Sequence, residues 1–357
     1  MIVCSSTILN TPKGLCLAAT DVQRRIKLVD RFGSPIIATL TPVGQRACIT
    51  LETQRGYRLT VANESTLFAV RQGQSFYIPV SELDNDCFLG LPRSLSFTPD
   101  YDQQEFDEGW VIGAIVGDGG HNPNNAGGTY LRFWGEDDGP NVMRAANVLR
   151  SFGVSRTFNA ESFYEATGPY TLKTAKLEAF VDQYIKPRSK VSRDALINAQ
   201  LSFLSGYLQG FFDTDGSAQG STQKGRSVRL SQSDQKKLIE AQVMLMRFGI
   251  ASNLYFRRAA GTKQMPDGKG GLRPYDHKSQ WELVIAKDNI EHFETRIGFS
   301  KPTKNNRLSE LTGSLSRKPY ADKMMSKFQS VTPVHVEDAV RLTVPQGVCV
   351  IANGLII

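Results

Sequence analysis

The sequence predicts an α+β protein in which two half-domains related by a pseudo-two-fold axis are inserted into an all-β unit split between the chain ends. Three observations carry this. Alternating or β-branched runs separated by Gly and Pro turns fill roughly the first ninety residues and return at the end of the chain. The middle mixes apolar helical segments with strands. That middle also repeats itself at a nearly constant offset.

In order along the chain, KGLCLAAT (13–20), SPIIATL (34–40), RACITLET (46–53) and YRLTVA (57–62) read as short strands, punctuated by PKG, RFGSP and PVG. The polar, acidic, Pro-containing stretch 81–109 reads as a linker. VTPVHVEDAVRLTVPQGVCVIANGLII (331–357) reads as two or three further strands. The predicted boundaries are 1–100 and 318–357 for the split β unit, with 106–200 and 201–317 for the two halves between them.

Within the middle, WVIGAIVGDGG (110–120) answers YLQGFFDTDGS (207–217), and the spacing from Asp118 to Asp215 is 97 (215 − 118). LRFWGED (131–137) answers VRLSQSD (228–234) at the same offset, and RAANVLRSFGV (144–154) answers EAQVMLMRFGI (240–250) at 96 (Phe248 against Phe152). IKPRSK (185–190) and SKPTK (300–304) stand further apart, and the extra loop 259–280 of the second copy absorbs the difference. Each copy reads helix, strand, strand, helix, strand, strand, helix. Two such copies imply a body whose equivalent surfaces meet each other.

Each copy opens with an apolar helix ending in Asp-Gly. Gly113 and Gly117, and Gly206 and Gly210, recur at a spacing of four, which lets two helices approach closely. Mid-helix glycine costs about 1 kcal/mol against alanine, so a packing reason is expected. If the two helices pair, Asp118 and Asp215 converge at their C-terminal ends, where the dipole disfavours carboxylates unless a cation is bound. Hard oxygen ligands suit Mg²⁺, which activates water and steadies a leaving oxygen in phosphodiester hydrolysis. A single Asp-Gly could simply end a helix with glycine beyond it; two copies within a three-segment repeat point instead to a shared site.

Composition narrows the partners. Lys and Arg total 42 against 35 Asp and Glu, giving a net charge of +7, compatible with a polyanion. Cys4, Cys16, Cys48, Cys87 and Cys349 form no CxxC pair, and the four histidines lie far apart, so disulfide scaffolding and zinc are not expected. No apolar run approaches a membrane span, and no secretory signal is visible; an intracellular setting is expected.

The motifs VIGAIVGDG (111–119) and LQGFFDTDG (208–216) resemble those of the LAGLIDADG homing endonucleases of the single-chain, two-motif type, over roughly 210 residues. The first departs at Val116 and Gly117. The resemblance implies αββαββα halves whose two saddle-shaped sheets grip double-stranded DNA, with one monomer acting as an internal pseudo-dimer. It implies metal-dependent cutting of both strands of a long site, leaving short 3′ overhangs. Asp118 and Asp215 would bind Mg²⁺ or Mn²⁺, with Ca²⁺ binding without supporting cleavage. It also implies a basic residue beside each centre: Lys190 and Lys304, with Lys186 and Lys301 as competing choices. DNA-facing strands should alternate basic and polar side chains, which selects Arg226, Arg229 and Gln232; Arg257, Arg258 and Lys263; Lys269, Arg273 and Lys278; and, in the first half, Arg132 and Lys173.

The flanking β segments resemble an intein, the protein-splicing Hint domain. GLPRSLSF (90–97) leads into the first motif, GYRLTVANESTLFAV (56–70) is similar to the block that normally carries Thr-x-x-His, and Ala352-Asn353-Gly354 sits in a segment similar to the C-terminal splicing block. The second half is also similar to inteins of ribonucleotide reductase genes. The groups splicing needs are missing. The nearest nucleophile is Cys4, Ser65 stands where the activating histidine belongs, Val348 and Cys349 replace another histidine, and no terminal His-Asn follows. The expectation is an intein-derived homing endonuclease with splicing lost. The alternatives are an active splicing protein and a non-catalytic LAGLIDADG nucleic-acid-binding protein.

Overall fold

The computed structural model describes residues 1–19, 25–93, 101–122, 128–153, 170–221, 225–266, 270–313 and 320–357. The N-terminal β segment comprises β1 (Ile2–Cys4), β2 (Ile8–Asn10), β3 (Leu15–Leu17), β4 (Arg25–Val29), β5 (Pro35–Thr53), β6 (Arg58–Ala62), β7 (Thr66–Arg71), β8 (Gln74–Pro79) and β9 (Phe88–Gly90). Two sequence expectations are corrected here. SPIIATL and RACITLET belong to one strand, because Gly44 adopts φ +70° and the intervening PVG becomes a bulge, where the register shifts, rather than a turn. The stretch expected to be a linker contains β9, with Cys87 buried beside it, and the first turns of the next helix.

That helix, α1 (Gln103–Gly117), starts where the Asp102 carboxylate accepts the Glu105 N–H at 3.0 Å. Then come β10 (Gly120–His121), β11 (Thr129–Phe133), α2 (Gly139–Ser151), β12 (Tyr170–Lys173), α3 (Ala175–Tyr184) and α4 (Asp194–Ile197). The second copy runs α5 (Leu201–Asp215), β13 (Gly216–Ser221), β14 (Gly225–Gln232), α6 (Gln235–Arg247), β15 (Ser252–Arg258), an added ribbon of β16 (Gly261–Pro266) and β17 (Leu272–His277), β18 (Gln280–Ala286), α7 (Asn289–Arg296) and α8 (Pro302–Gly313). Its main sheet has the order β13-β14-β18-β15, and the first copy's sheet the order β10-β11-β12.

The chain then returns to the flanking unit through β19 (Met325–Thr343), β20 (Ile351–Ala352) and β21 (Leu355–Ile356). β19 lies in the eight-stranded sheet β4-β5-β6-β1-β19-β9-β7-β8, and β20 and β21 complete a small sheet with β2 and β3. The two ends of the chain are therefore interleaved: Ile2 pairs with Arg341 and Leu9 with Ala352.

From Gly109 onward α1, and through most of its length α5, are apolar nearly all round, the pattern of buried helices, and they pack on each other. A Cβ at Gly109 would overlap the Phe203 carbonyl, and one at Gly113 the Tyr207 carbonyl; Gly206 and Gly210 stand in the same relation to the Phe106 and Trp110 carbonyls. These contacts exchange under the 97-residue offset. Glycine here is a packing requirement, as the spacing predicted, and Gly109 joins the set that the sequence singled out.

The flanking unit is docked on the second copy. The Arg247 guanidinium, 2% exposed, donates to the carbonyls of Gly14, Thr11 and Pro12 at 3.1, 2.9 and 3.3 Å. Arg55 forks onto both Asp322 oxygens at 2.9 and 3.0 Å, while its carbonyl accepts Leu254 N–H and a Gln242 side-chain N–H at 3.0 Å each. Among the described residues, no helix is long and apolar enough to cross a membrane.

Candidate metal and DNA site

The helix crossing places the two motif ends together. Gly117 lies against α5: a Cβ there would overlap the Thr214 hydroxyl and come within 2.9 Å of Asp215 Oδ2. The Asp215 carboxylate thus sits on the last turn of α1, one residue from Asp118. Asp118 is exposed and Asp215 half-buried.

Each helix end is capped by one of the two lysines the resemblance implied. Lys190, held at φ +55°, donates to the Val116 and Gly117 carbonyls at 3.0 Å each. Lys304 donates to the Asp213 and Gly216 carbonyls at 2.7 Å each and to Thr214 at 3.2 Å. An ammonium at a helix C-terminus satisfies open carbonyls and meets the negative end of the dipole. The competing lysines are placed elsewhere: Lys301 pairs with buried Asp138 at 2.9 Å, and exposed Lys186 lines a separate cleft with His121 and Glu178.

Electrostatics single out Asp215. Burial, and then the Asp118 charge, push its carboxyl up to about 6, against the pull of Lys190, Lys304 and Lys237. Burial pulls Lys190 down to about 8, reinforced by Lys237; burial likewise lowers Lys304 and Lys237. Lys237 was not singled out in the sequence. It lies in the first turn of α6, where a cation opposes the dipole, and that mismatch is the signal that was available.

Two carboxylates, one with a raised pKa, at the negative ends of two helices form an environment that a hard divalent cation relieves. Among the described residues no cluster of three or more Asp, Glu, His or Cys is present, so the protein would supply two carboxylates and leave the remaining positions to water and phosphate, as Mg²⁺ tolerates. A cavity of about 310 Å³ adjoins Asp215, lined by Gly117, Ser231, Gln232, Arg258 and Lys278 among others.

Strand parity sorts the basic residues selected from the sequence. On β11 and β12, exposed Arg132 and half-buried Lys173 share the face that also carries Tyr130 and Thr171, by the pairings Tyr130–Lys173 and Arg132–Thr171. On β14, Val228 and Leu230 alternate, the former fully buried in the core. Arg229 therefore lies on the face opposite Arg226 and Gln232. Arg226 turns toward α8 and donates to the Leu311 carbonyl. Gln232 donates to Asp215 Oδ2, beside the convergent helix ends. Arg229 and Arg257 both clasp Glu282 on the outer face. Arg258 and Lys278 line the Asp215 cavity. Lys263 and Arg273 are exposed on the added ribbon, on the face shared with Tyr275 and Met265. Lys269 lies outside the described residues, as does part of GLPRSLSF.

The splicing candidates occupy the flanking unit. Cys4 is fully buried with its Sγ 3.5 Å from that of Cys48, and burial raises its thiol pKa, away from the reactive thiolate. Ser65 Oγ donates to the Ile2 carbonyl at 2.8 Å and accepts the Ile2 N–H at 3.3 Å. Asn353 accepts the Ile8 N–H at 2.8 Å and donates to the Arg58 carbonyl at 3.1 Å.

Comparison with known proteins bears on this arrangement. Residues 202–298 match the model of the LAGLIDADG-like domain. The chain is 28% identical over 154 residues to the NrdEB alpha subunit of the ribonucleoside-diphosphate reductase of Bacillus subtilis, covering 42% of this chain and 14% of that protein. It is 33% identical over 109 residues to the ribonucleoside-diphosphate reductase large subunit of Invertebrate iridescent virus 6, covering 29% and 11%. The DNA gyrase A subunit of Mycobacterium malmoense matches at 24% over 316 residues, covering 83% of this chain and 60% of that protein. The chain thus spans about one-seventh or less of the two reductases. Among solved structures, I-DmoI in complex with DNA and Ca is similar at 13% identity and TM-score 0.39, covering 58% of this chain and 99% of that one. The homing endonuclease I-WcaI bound to its DNA recognition sequence follows at 16% and 0.33, covering 60% and 95%. The family-model match by itself places a LAGLIDADG-like domain at residues 202–298.

Proposed function

We propose that this chain is a site-specific endonuclease that hydrolyses both strands of double-stranded DNA with Mg²⁺ or Mn²⁺, carried within an intein whose splicing chemistry is lost. The observation that carries the reading is the approach of Asp118 and Asp215 across two crossed helices, each end capped by a lysine. A bound divalent cation would supply an activated water and charge neutralisation at the scissile phosphate. The chain's own contribution is positional. The glycine crossing fixes the carboxylates, Lys190 and Lys304 hold the helix ends and offer positive charge toward the developing phosphorane, and Arg132, Lys173, Arg229, Arg257, Arg258, Lys278, Lys263 and Arg273 supply phosphate and base contacts. The reciprocal contacts of α1 and α5 support a pseudo-two-fold body, and the same reading takes the chain as a monomer in an intracellular setting.

The intein origin draws support from two sides. Matches to relatives with names as different as a ribonucleotide reductase and a gyrase, each over part of its length, fit one mobile element residing in unrelated hosts. The interleaved flanks fit a β unit interrupted by the nuclease body. Loss of splicing is supported by Ser65 embracing the Ile2 backbone: the residue facing the place of the activating histidine is an isoleucine, and Cys4 is buried two residues away. The test is cleavage of a randomised double-stranded library with Mg²⁺, followed by sequencing of the ends. One enriched site with defined ends in both strands, absent with Asp118→Asn or Asp215→Asn, is the expected result. Undiminished cutting by the double Asn variant would exclude this metal site.

A further inference from the structure

Trp134 stands out on the first half's outer sheet face. It is 58% exposed, and its indole has no hydrogen-bond or ring partner among the described residues. On the outer faces of the two sheets, Tyr130 lies under the Arg132 guanidinium at 4.6 Å and Tyr255 under Arg257 at 5.0 Å. The exposed indole is nonetheless set on a fixed backbone. Trp134 N–H donates to Asp138 Oδ2 at 2.8 Å, and Asp138, 2% exposed, is itself paired at 2.9 Å with Lys301 from the other half.

Its place in the repeat gives its direction. Tyr130, Arg132 and Trp134 alternate outward while Leu131 and Phe133 are buried, so Trp134 continues the row that carries Arg132. At the 97-residue offset its counterpart is Ser231, which lines the cavity beside Asp215. The first half thus presents a large flat apolar ring where the second presents a hydroxyl. A solvent-facing aromatic beside Arg132, on a backbone held by Asp138, is suited to stacking on nucleobases, and apolar side chains that enter between base steps unstack and kink a duplex.

We infer, on the DNA-cutting reading above, that Trp134 is a base-stacking wedge that unstacks one step of the duplex on the Asp118 side of the cut. The experiment uses the duplex recovered from the library, with 2-aminopurine placed singly at each position near the cuts, bound to the full chain carrying Asp118→Asn and Asp215→Asn. One position on the first half's side should brighten on binding. Adding Trp134→Ser, which installs the other half's residue, should abolish that signal and weaken binding on the order of 10-fold, while Trp134→Phe retains most of both. Trp134→Ser is an exposed substitution, so its fold should be unaffected. Site-specific binding with no brightening at any position, or brightening that survives Trp134→Ser, overturns the wedge and leaves the nuclease reading standing. If the wild-type chain neither binds nor cuts any duplex, both fall.

Discussion

Replacing Asp215 with asparagine should abolish cutting and, in the metal-free protein, raise stability. The carboxyl sits at about 6 rather than the usual 3.8 because burial and the Asp118 charge outweigh three nearby lysines. At about 1.4 kcal/mol per pH unit, holding it ionised costs about 3 kcal/mol; partial solvent access reduces this to about 2 kcal/mol. The sign follows from linkage. A carboxyl whose folded pKa is raised binds more protons folded than unfolded, so its penalty is absent below about pH 4, grows through about pH 6, and is complete above that. Asparagine has no such dependence and keeps the shape. Thermal denaturation with chelator at about pH 8 should therefore give Asp215→Asn a melting point about 3 °C above wild type. The gap should close by about pH 4, and excess Mg²⁺ should narrow it by stabilising only the wild type. A variant less stable than wild type at the higher pH, or a gap independent of pH, would refute the assigned balance of burial and charge.

Three other perturbations probe separate parts of the structure. Gly113→Ala places a methyl on the Tyr207 carbonyl, so α1 and α5 must separate; a loss of about 3 kcal/mol in chemical denaturation is expected, along with cutting. Arg247→Met removes three hydrogen bonds to the carbonyls of the 11–14 turn and should cost about 2 kcal/mol, with faster proteolysis in the flanking unit as the local readout. Gln232→Ala, with or without Lys237→Met, removes groups near Asp215; labelled on each strand in turn, the recovered duplex should show one strand slowed several-fold more than the other, and equal slowing would count against unequal centres.

What the sequence made legible were features that repeat. The Asp-Gly ends, the four-residue glycine spacing and the lysines at matching points of IKPRSK and SKPTK occur twice, and internal repetition makes up for the absence of other evidence about which residues matter. Features decided by one local conformation were harder to read. PVG has the composition of a turn, yet Gly44 at φ +70° lets the chain continue as a bulged strand. RSVRLSQSD has basic and polar residues in plenty, but only parity separates Arg229 from Arg226 and Gln232, and parity depends on knowing that Val228 and Leu230 face the core. Asp213 resembles one more motif carboxylate. In the structure it is fully buried, accepting the Trp110 indole N–H at 2.7 Å and the Ser300 N–H at 2.9 Å, so it ties the halves together rather than serving the site.

That buried acid points to how the halves differ. At the first copy's matching position stands Val116, fully in the core; only one half supplies the acid, and the other supplies its indole partner. Gln232 on Asp215 has Gly135 as its counterpart, and Ser231 has Trp134. Lys237, by the 96-residue offset of the helices, matches Asn141, whose amide oxygen instead accepts the Ser300 hydroxyl at 2.8 Å. The scaffold terms, glycine crossing and lysine caps, are shared because both helices need the same close approach and the same carbonyl satisfaction whichever half they belong to. The furnishing around each carboxylate is not shared, because a single chain frees each copy to change alone. Two identical protomers would have to present both halves of a DNA site with the same groups; this chain presents a hydroxyl, an amide and an extra cation to one side and an indole to the other, and its target should be correspondingly non-palindromic.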